Sequence, residues 1–194
     1  MALPLSITVI FGFQHVPDAA GVMTHTLKNP NAPSALTYAW IGPFVGALIR
    51  PFGGWLSDKV GGSIVTQWIS AVMVLASAAV GYVMLLAYQS AAPEQYFLAF
   101  MLLFIVLFAA TGIGNGSTFR TIGVIFDRVQ AGPVLGWTAA VGAYGSFIAP
   151  VVIGQQIKAG NPEYAMYGFA IFYALCLVLN WWFYLRKNAY VQNP

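Results

Sequence analysis

The fold is decided by residues 96–126, which read YFLAFMLLFIVLFAATGIGNGSTFRTIGVIF. The run is apolar over its first half, and its single charged residue, Arg120, lies six residues before the end. An α-helix needs about 20 apolar residues to cross the hydrocarbon core of a bilayer, where every backbone polar group must be bonded within the protein. The run therefore predicts a transmembrane helix, whose extra length requires tilt, a bend at its glycines or projection into the cytoplasm.

The composition of the whole chain agrees with this prediction. Charged residues make up 7% of the 194 residues, apolar residues 59%, and the mean hydropathy is +0.75, whereas about a quarter of a soluble domain is charged. No water-soluble fold could bury so much apolar surface. Similar apolar runs cover residues 36–56, 64–88, 134–157 and 164–184. The sequence predicts an all-α, polytopic transmembrane helix bundle of five spans over residues 36–187.

The two ends of the chain differ from this bundle. Residues 2–13 are apolar but reach only about half of a spanning length, and polar and charged residues follow them. No basic residues precede the apolar run, as they would in a signal peptide. We therefore interpret residues 1–35 as a shortened or degraded first helix with an extracytoplasmic loop, and residues 188–194 as a polar cytoplasmic tail.

The distribution of cations predicts the orientation of the bundle. If five spans alternate, one set of turns holds Lys59, Arg128, Arg186 and Lys187, and the opposite set holds Lys28 and Lys158. The positive-inside rule assigns the richer set to the cytoplasm. We therefore expect a cytoplasmic C-terminus.

Several kinds of function have little support. The formal charge of +3 comes from eight scattered Lys and Arg with no polybasic run, which argues against nucleic-acid binding. Cys176 is the single cysteine, and His15 and His25 lack metal-ligand spacing. The predicted spans contain no group of acid, base and nucleophile that could form a catalytic site. We expect no metal, no cofactor and no enzymatic activity.

Arg50 is the most informative charge within a predicted span. It lies about 10 Å of helix rise before the turn at Ser57, a depth at which a cation usually faces a cavity or a partner. The alternative is an arginine that snorkels to the headgroups. All five acidic residues fall at span ends or in loops, so no fixed carboxylate is available to Arg50. Such an arginine suits a mobile anion, which its planar fork can hold by two hydrogen bonds.

Arg120 poses the same question nearer to the cytoplasmic end of its span. There we favour snorkelling or a position that lines the cytoplasmic vestibule.

Small residues are concentrated in the third and fourth spans. Their spacing lets helices pack closely, and close packing and the lining of a substrate path both remain open. The third span contains Gly112, Gly114 and Gly116, and the fourth has one stripe of Gly136, Ala140, Ala143 and Ser146 beside a second of Gly142, Gly145 and Ala149.

The turn over residues 54–62, GWLSDKVGG, resembles the cytoplasmic loop motif of the major facilitator superfamily. In that motif a glycine, an acid, a base and a second glycine recur at the spacing of Gly54, Asp58, Lys59 and Gly61. Ser63 and Ile64 stand where trailing basic residues are often found.

Three further stretches narrow the resemblance to the nitrate/nitrite porters of this superfamily. Residues 42–50, GPFVGALIR, are similar to their helix eight, and residues 112–119, GIGNGSTF, to the end of their helix ten. Residues 135–147, LGWTAAVGAYGSF, resemble their second nitrate signature in helix eleven, with Ser146 where glycine is usual.

This resemblance implies that the chain is the C-terminal half of such a transporter, with helices eight to twelve and a degraded helix seven. Arg50 would be one of two arginines that bind the anion, and Gly142 and Gly145 would lie beside the substrate path. Asp58 would meet the N-terminus of the helix that starts near Val134, where its charge complements the helix dipole. Helices one to six, with the second arginine, would come from outside this chain.

The leading functional hypothesis is nitrate/nitrite transport across the bacterial inner membrane by alternating access, by a partial transporter embedded in lipid. The absence of a carboxylate within the spans favours anion exchange, as in an antiporter, over proton coupling. One alternative is a truncated remnant that does not transport, or a half that needs a separately encoded N-terminal half. Another is a major facilitator carrier of a different small anion.

Overall fold

The structure of the chain is a computed structural model that describes residues 2–17, 19, 21, 23–189 and 191–194. The structure is 80% helical, which confirms the all-α prediction. The α-helices are α1 (Ala2–Ser6), α2 (Ala35–Tyr38), α3 (Ile41–Val60), α4 (Gly62–Tyr88), α5 (Phe97–Ile125), α6 (Arg128–Lys158) and α7 (Glu163–Asn180). Single π-helical turns cover Ile7–Phe11 and Trp181–Leu185, a 3-10 turn covers Pro93–Tyr96, and the strands are β1 (Phe13–Pro17) and β2 (Met23–Lys28).

Four helical segments are long and apolar enough to cross a membrane, by length and composition, in the part of the chain that the structure describes. They are Gly62–Tyr88, Pro93–Ile125, Arg128–Lys158 and Glu163–Leu185. Helix α3 has 20 residues but carries Arg50, Asp58 and Lys59, and it is not among the four. A multi-pass helical membrane protein is confirmed, and the fifth span stays a prediction.

The first predicted span differs from the helices found there. The region is divided between the short α2 and α3, and α3 continues to Val60, so that Gly61 alone makes the turn predicted over residues 57–62. Gly61 has a φ of 96°, a backbone conformation that glycine adopts without steric cost because it has no Cβ. Ser57 stays helical, and its hydroxyl donates to the carbonyl of Gly53 at 2.8 Å.

Helix α6 begins at Arg128, six residues before the predicted start at residue 134. Asp127 adopts an extended conformation as the N-cap, and its carboxylate accepts from the backbone N–H of Gln130 at 3.3 Å. This cap satisfies one of the free N–H groups of the first turn, so helix forms where the sequence predicts a turn.

The first 35 residues contain a hairpin that the sequence did not predict. Strands β1 and β2 pair antiparallel, with an irregularity between Gln14 and His15. Asn29 closes the hairpin against the preceding helical turn, since its backbone N–H donates to Gly12 and its side chain to the carbonyl of Phe11. The connection over residues 18–22 lacks the Asn-Gly or Asp-Gly pair that announces a two-residue hairpin turn, which explains the omission.

The packed core lies between α3, α4, α5 and the start of α7, and the N-terminal helical residues join it. Interlocking aromatic and aliphatic side chains fill it, including Phe11, Val80, Met84, Phe100 and Phe104. Because lipid tails are as apolar as these side chains, the contacts stabilise the bundle by close packing rather than by removal of surface from water.

Candidate functional site

Arg50 lies on an exposed face of α3 beside Phe119 of α5. Its guanidinium carbon is 5.9 Å from the centre of the Phe119 ring, within the range of a cation–π interaction. In the part of the chain that the structure describes, no carboxylate forms an ion pair with Arg50, and the ion pair that the structure does contain joins Arg120 to Asp58. The Arg50 charge is thus held beside an aromatic ring and remains open to a mobile partner.

Glycine contacts between α3 and α5 determine where Arg50 sits. A Cβ added to Gly116 would overlap the carbonyl oxygen of Arg50, and one added to Gly112 would overlap that of Gly46. A Cβ on Gly53, from the α3 side, would overlap the carbonyl oxygen of Ile113. For these third-span glycines, close helix packing is therefore the observed role, and it fixes the α3 backbone at Arg50 against α5.

The signature glycines of α6 are in a different situation. Residues 141–148 are all exposed, and outside their own helical turns no described atom lies within 4 Å of a Cβ built at Gly142 or Gly145. The structure therefore leaves these two glycines on an open helix face and does not join them to Arg50 by any contact.

The motif turn is held by an ion pair that the sequence did not predict. Asp58 Oδ1 accepts from Arg120 Nε at 2.9 Å, and the two side chains are 67% and 26% exposed. Asp58 therefore meets a side chain of α5, whereas the resemblance implied contact with the N-terminus of the helix near Val134. That N-terminus, at Arg128, is capped by Asp127. Arg120 is paired with Asp58, and its place in the cytoplasmic vestibule stays a prediction.

Of the three remaining residues of the motif, Gly54 lies against α5, where a Cβ built on it would be 4.0 Å from the carbonyl oxygen of Gly116, and Lys59 and Gly61 have local roles. The Lys59 ammonium lies 4.1 Å from the centre of the Trp55 ring on the preceding helical turn. Gly61 supplies the positive φ that separates α3 from α4. Both contacts shape the turn itself.

The C-terminal residues dock onto the same turn. The Asn193 side chain donates to the carbonyl of Val60 at 3.0 Å and accepts from the N–H of Ile64 at 3.3 Å. The N–H of Gly62 donates to the carbonyl of Pro194 at 2.7 Å. These contacts bond backbone groups at the end of α3 and the start of α4. Because the partners are about 130 residues apart in the sequence, no local pattern predicts them.

Asn180 of α7 makes a second link to α4. Its side-chain amide donates to the Ser63 carbonyl at 2.9 Å and to Gln67 Oε1 at 2.8 Å. The final helix and the tail are thus both fastened to the helix that follows the motif turn.

Together, the apolar helices of the described chain define a multi-pass helical membrane protein, with an exposed arginine on α3 and a glycine-rich turn after it. No family model matches the chain, but curated proteins do. It is 40% identical over 164 residues to the probable nitrate/nitrite antiporter NarK2 of Thermus thermophilus, an alignment of 84% of this chain and 36% of the relative.

Two further relatives give the same result. The chain is 34% identical over 175 residues to the nitrate/nitrite transporter NarU of Escherichia coli K12, covering 79% of this chain and 37% of NarU. It is 31% identical over 177 residues to the probable nitrate/nitrite transporter NarK2 of Mycobacterium tuberculosis, covering 91% and 38%. The chain belongs to the nitrate/nitrite porter family of the major facilitator superfamily, and it spans little more than a third of the length of these relatives.

Proposed function

We propose that this chain forms the C-terminal part of a carrier that exchanges nitrate and nitrite across the bacterial inner membrane by alternating access. The observation that carries the proposal is Arg50, which is exposed on α3, has no carboxylate partner in the described chain and is held beside Phe119. The names of the relatives supply the substrates. The cations near the ends of the helices favour a cytoplasmic C-terminus.

Arg50 would bind the anion through the planar guanidinium. A nitrate ion is planar and offers adjacent oxygens, so two parallel N–H donors can bond it at once, and an ammonium cannot reproduce that geometry. The Phe119 ring restrains the guanidinium through its face. The α3 backbone at Arg50 also lies directly against α5, because Gly112 and Gly116 place no side chain between the two helices.

The second side of the binding site would come from outside the residues seen here. Substrates of such carriers bind near the middle of the membrane, between two helical repeats that rock against each other. The open face of α6, with Gly142 and Gly145, would let an opposing helix or the anion approach the backbone closely. An N-terminal six-helix half is the partner that this arrangement calls for.

The motif turn would act during the conformational change. The Asp58 and Arg120 pair joins the ends of α3 and α5, while Lys59 and Gly61 shape the turn between α3 and α4. These contacts would let the three helices move as one rigid body.

The proposal is tested by nitrate uptake into transport-deficient bacteria that express this chain together with helices one to six of a related porter. We expect uptake with both parts, and at least a tenfold loss on Arg50→Lys, since the loss of a charge-assisted bidentate contact costs about 1.5–3 kcal/mol. Arg128→Lys, at the exposed start of α6, is the matched control and should leave uptake unchanged. If both parts reach the membrane and no nitrate uptake occurs, the proposal fails.

A carrier of a different small anion is the second candidate. It is favoured by Ser146, which adds a hydroxyl at a position where the second nitrate signature usually has glycine. Competition of labelled nitrate uptake by unlabelled nitrite, formate and bicarbonate separates the two candidates. Inhibition by formate or bicarbonate and none by nitrite would favour the second.

A further inference from the structure

A polar cavity of about 520 Å³ lies at the end of the bundle opposite to the motif turn. Helix α4 connects the two ends, since it begins at Gly62 beside the turn and ends at Tyr88 in the cavity wall. The wall also contains a loop before α7 and one residue of β1. Its polar members are His15, Tyr88, Gln89, Asn161 and Glu163, with the backbone of Gly160.

Glu163 is the chemically distinctive member of this wall. It stands in the first turn of α7 and is only 5% exposed, and its Oε2 atom is buried without a hydrogen-bond partner in the described chain. A buried carboxylate without a partner carries a desolvation cost of several kcal/mol, which a bound countercharge offsets. The residues that line the cavity include no lysine and no arginine, and its histidine, His15, does not donate to Glu163 Oε2.

Glu94, the other glutamate, does have a hydrogen-bond partner. Its Oε2 accepts from the side-chain amide of Asn29 at 2.9 Å, and it does not line the cavity. Glu163, which lines the cavity, has no such partner at its Oε2 atom in the described chain.

The remaining groups of the wall identify the kind of countercharge. The Asn161 amide nitrogen donates to the carbonyl of Ala159 at 3.3 Å, which leaves its Oδ1 as an acceptor. Gln89 and Gly160 of the same wall offer further neutral carbonyl oxygens. The C-terminal end of α4 contributes the negative end of its dipole, and the N-terminal end of α7, which carries Glu163, contributes a positive one. Oxygen ligands of this type bind hard cations, and one carboxylate balances a single positive charge.

We propose that this cavity is a binding site for a hard monovalent cation of the sodium class, with the Glu163 carboxylate as the charged ligand. The volume leaves room for water molecules in the coordination shell. His15 packs edge-on against Tyr88, with ring centres 5.1 Å apart, and closes one wall rather than serving as a ligand. The site is independent of Arg50, and in the proposed orientation it faces away from the cytoplasm.

The test is direct binding of ²²Na⁺ to the purified chain in lipid nanodiscs, with N-methylglucamine as the replacement cation at constant ionic strength. We expect saturable binding of about one ion per chain, weakened roughly ten- to hundredfold by Glu163→Gln, because the charge-assisted contact is lost. Glu94→Gln is the matched control and should bind as the unaltered chain does. Absence of saturable binding, or equal binding by Glu163→Gln, would overturn the proposal.

A second measurement uses the unaltered chain and does not depend on whether Glu163→Gln folds. A hydrophobic carbodiimide modifies buried carboxyl groups, and the modified residue is read by mass spectrometry. Sodium should slow the modification of Glu163 at least about threefold and leave Glu94 unaffected. Faster modification on acidification, with no slowing by sodium, would mean that the carboxyl group binds only a proton, and would contradict the proposal.

Discussion

Helices α5 and α6 are 29 and 31 residues long and both carry spaced glycines, yet only α5 uses them against this chain. Gly112 and Gly116 of α5 meet the backbone of α3, while Gly142 and Gly145 of α6 face open space. In the most apolar part of the segment that contains α5, 33% of the residues are buried, whereas the corresponding value for α6 is 6%. A stripe of small residues thus indicates that a helix can be approached closely, but it does not identify what approaches.

The largest expected difference between the two helices concerns their aromatic side chains. Phe104 of α5 is 6% exposed and Phe147 of α6 is 72% exposed. We expect Phe104→Ala to lower the free energy of unfolding by about 3 kcal/mol, because removal of the ring leaves a cavity and its neighbours lose packing contacts. Phe147→Ala should change it by less than about 0.5 kcal/mol. Unfolding of the purified chain in mild detergent by titration with a denaturing detergent measures both values.

Equal values for the two phenylalanine variants would show that α6 is packed as tightly as α5. In that case the open face of α6 would not exist in the isolated chain, and the proposal that it receives another helical unit would lose its support.

The membrane class and the helical fold were predictable from the sequence because they depend on local composition. Each apolar run must form a helix in lipid wherever it lies, and this is a property of the run itself. The absence of an acidic partner for Arg50 followed in the same way, from the positions of the five acids along the chain.

The contacts that position the site could not be predicted, because they join residues far apart in sequence. Asp58 and Arg120 are 62 residues apart, and Asn193 reaches the motif turn across about 130 residues. Neither contact leaves a periodic signal. Glu163 was seen only as a loop acid at a span end, because the cavity around it is made by segments from three regions of the chain.

The glycines give the second prediction, with a pair of identical substitutions. Gly116→Ala places a Cβ against the carbonyl of Arg50, and we expect a loss of about 1–3 kcal/mol of stability from overpacking. Gly142→Ala meets no described atom within 4 Å outside its own turn, and should be neutral or gain up to about 1 kcal/mol from the better helix former. The same detergent unfolding assay applies.

The two glycine variants also separate packing from transport. When the chain is expressed with an N-terminal half, Gly142→Ala should reduce nitrate uptake although the isolated chain is as stable as before. A Gly142→Ala variant with normal uptake would remove this glycine from the proposed substrate path.

The smallest expected effect lies in the ion pair that joins the ends of α3 and α5. Asp58 is 67% exposed, so solvent and salt screen its attraction to Arg120, and Asp58→Asn should cost no more than about 1 kcal/mol. At the start of α6, Asp127→Ala removes the N-cap and should cost about 1 kcal/mol whatever the salt concentration, because the lost contact is a hydrogen bond to the backbone. Unfolding measured at low and high salt distinguishes the two. A stability difference for Asp58→Asn that persists at 1 M salt would mean that Asp58 also contacts the backbone, as the resemblance implied, and that α6 lies closer to the motif turn than the paired side chains indicate.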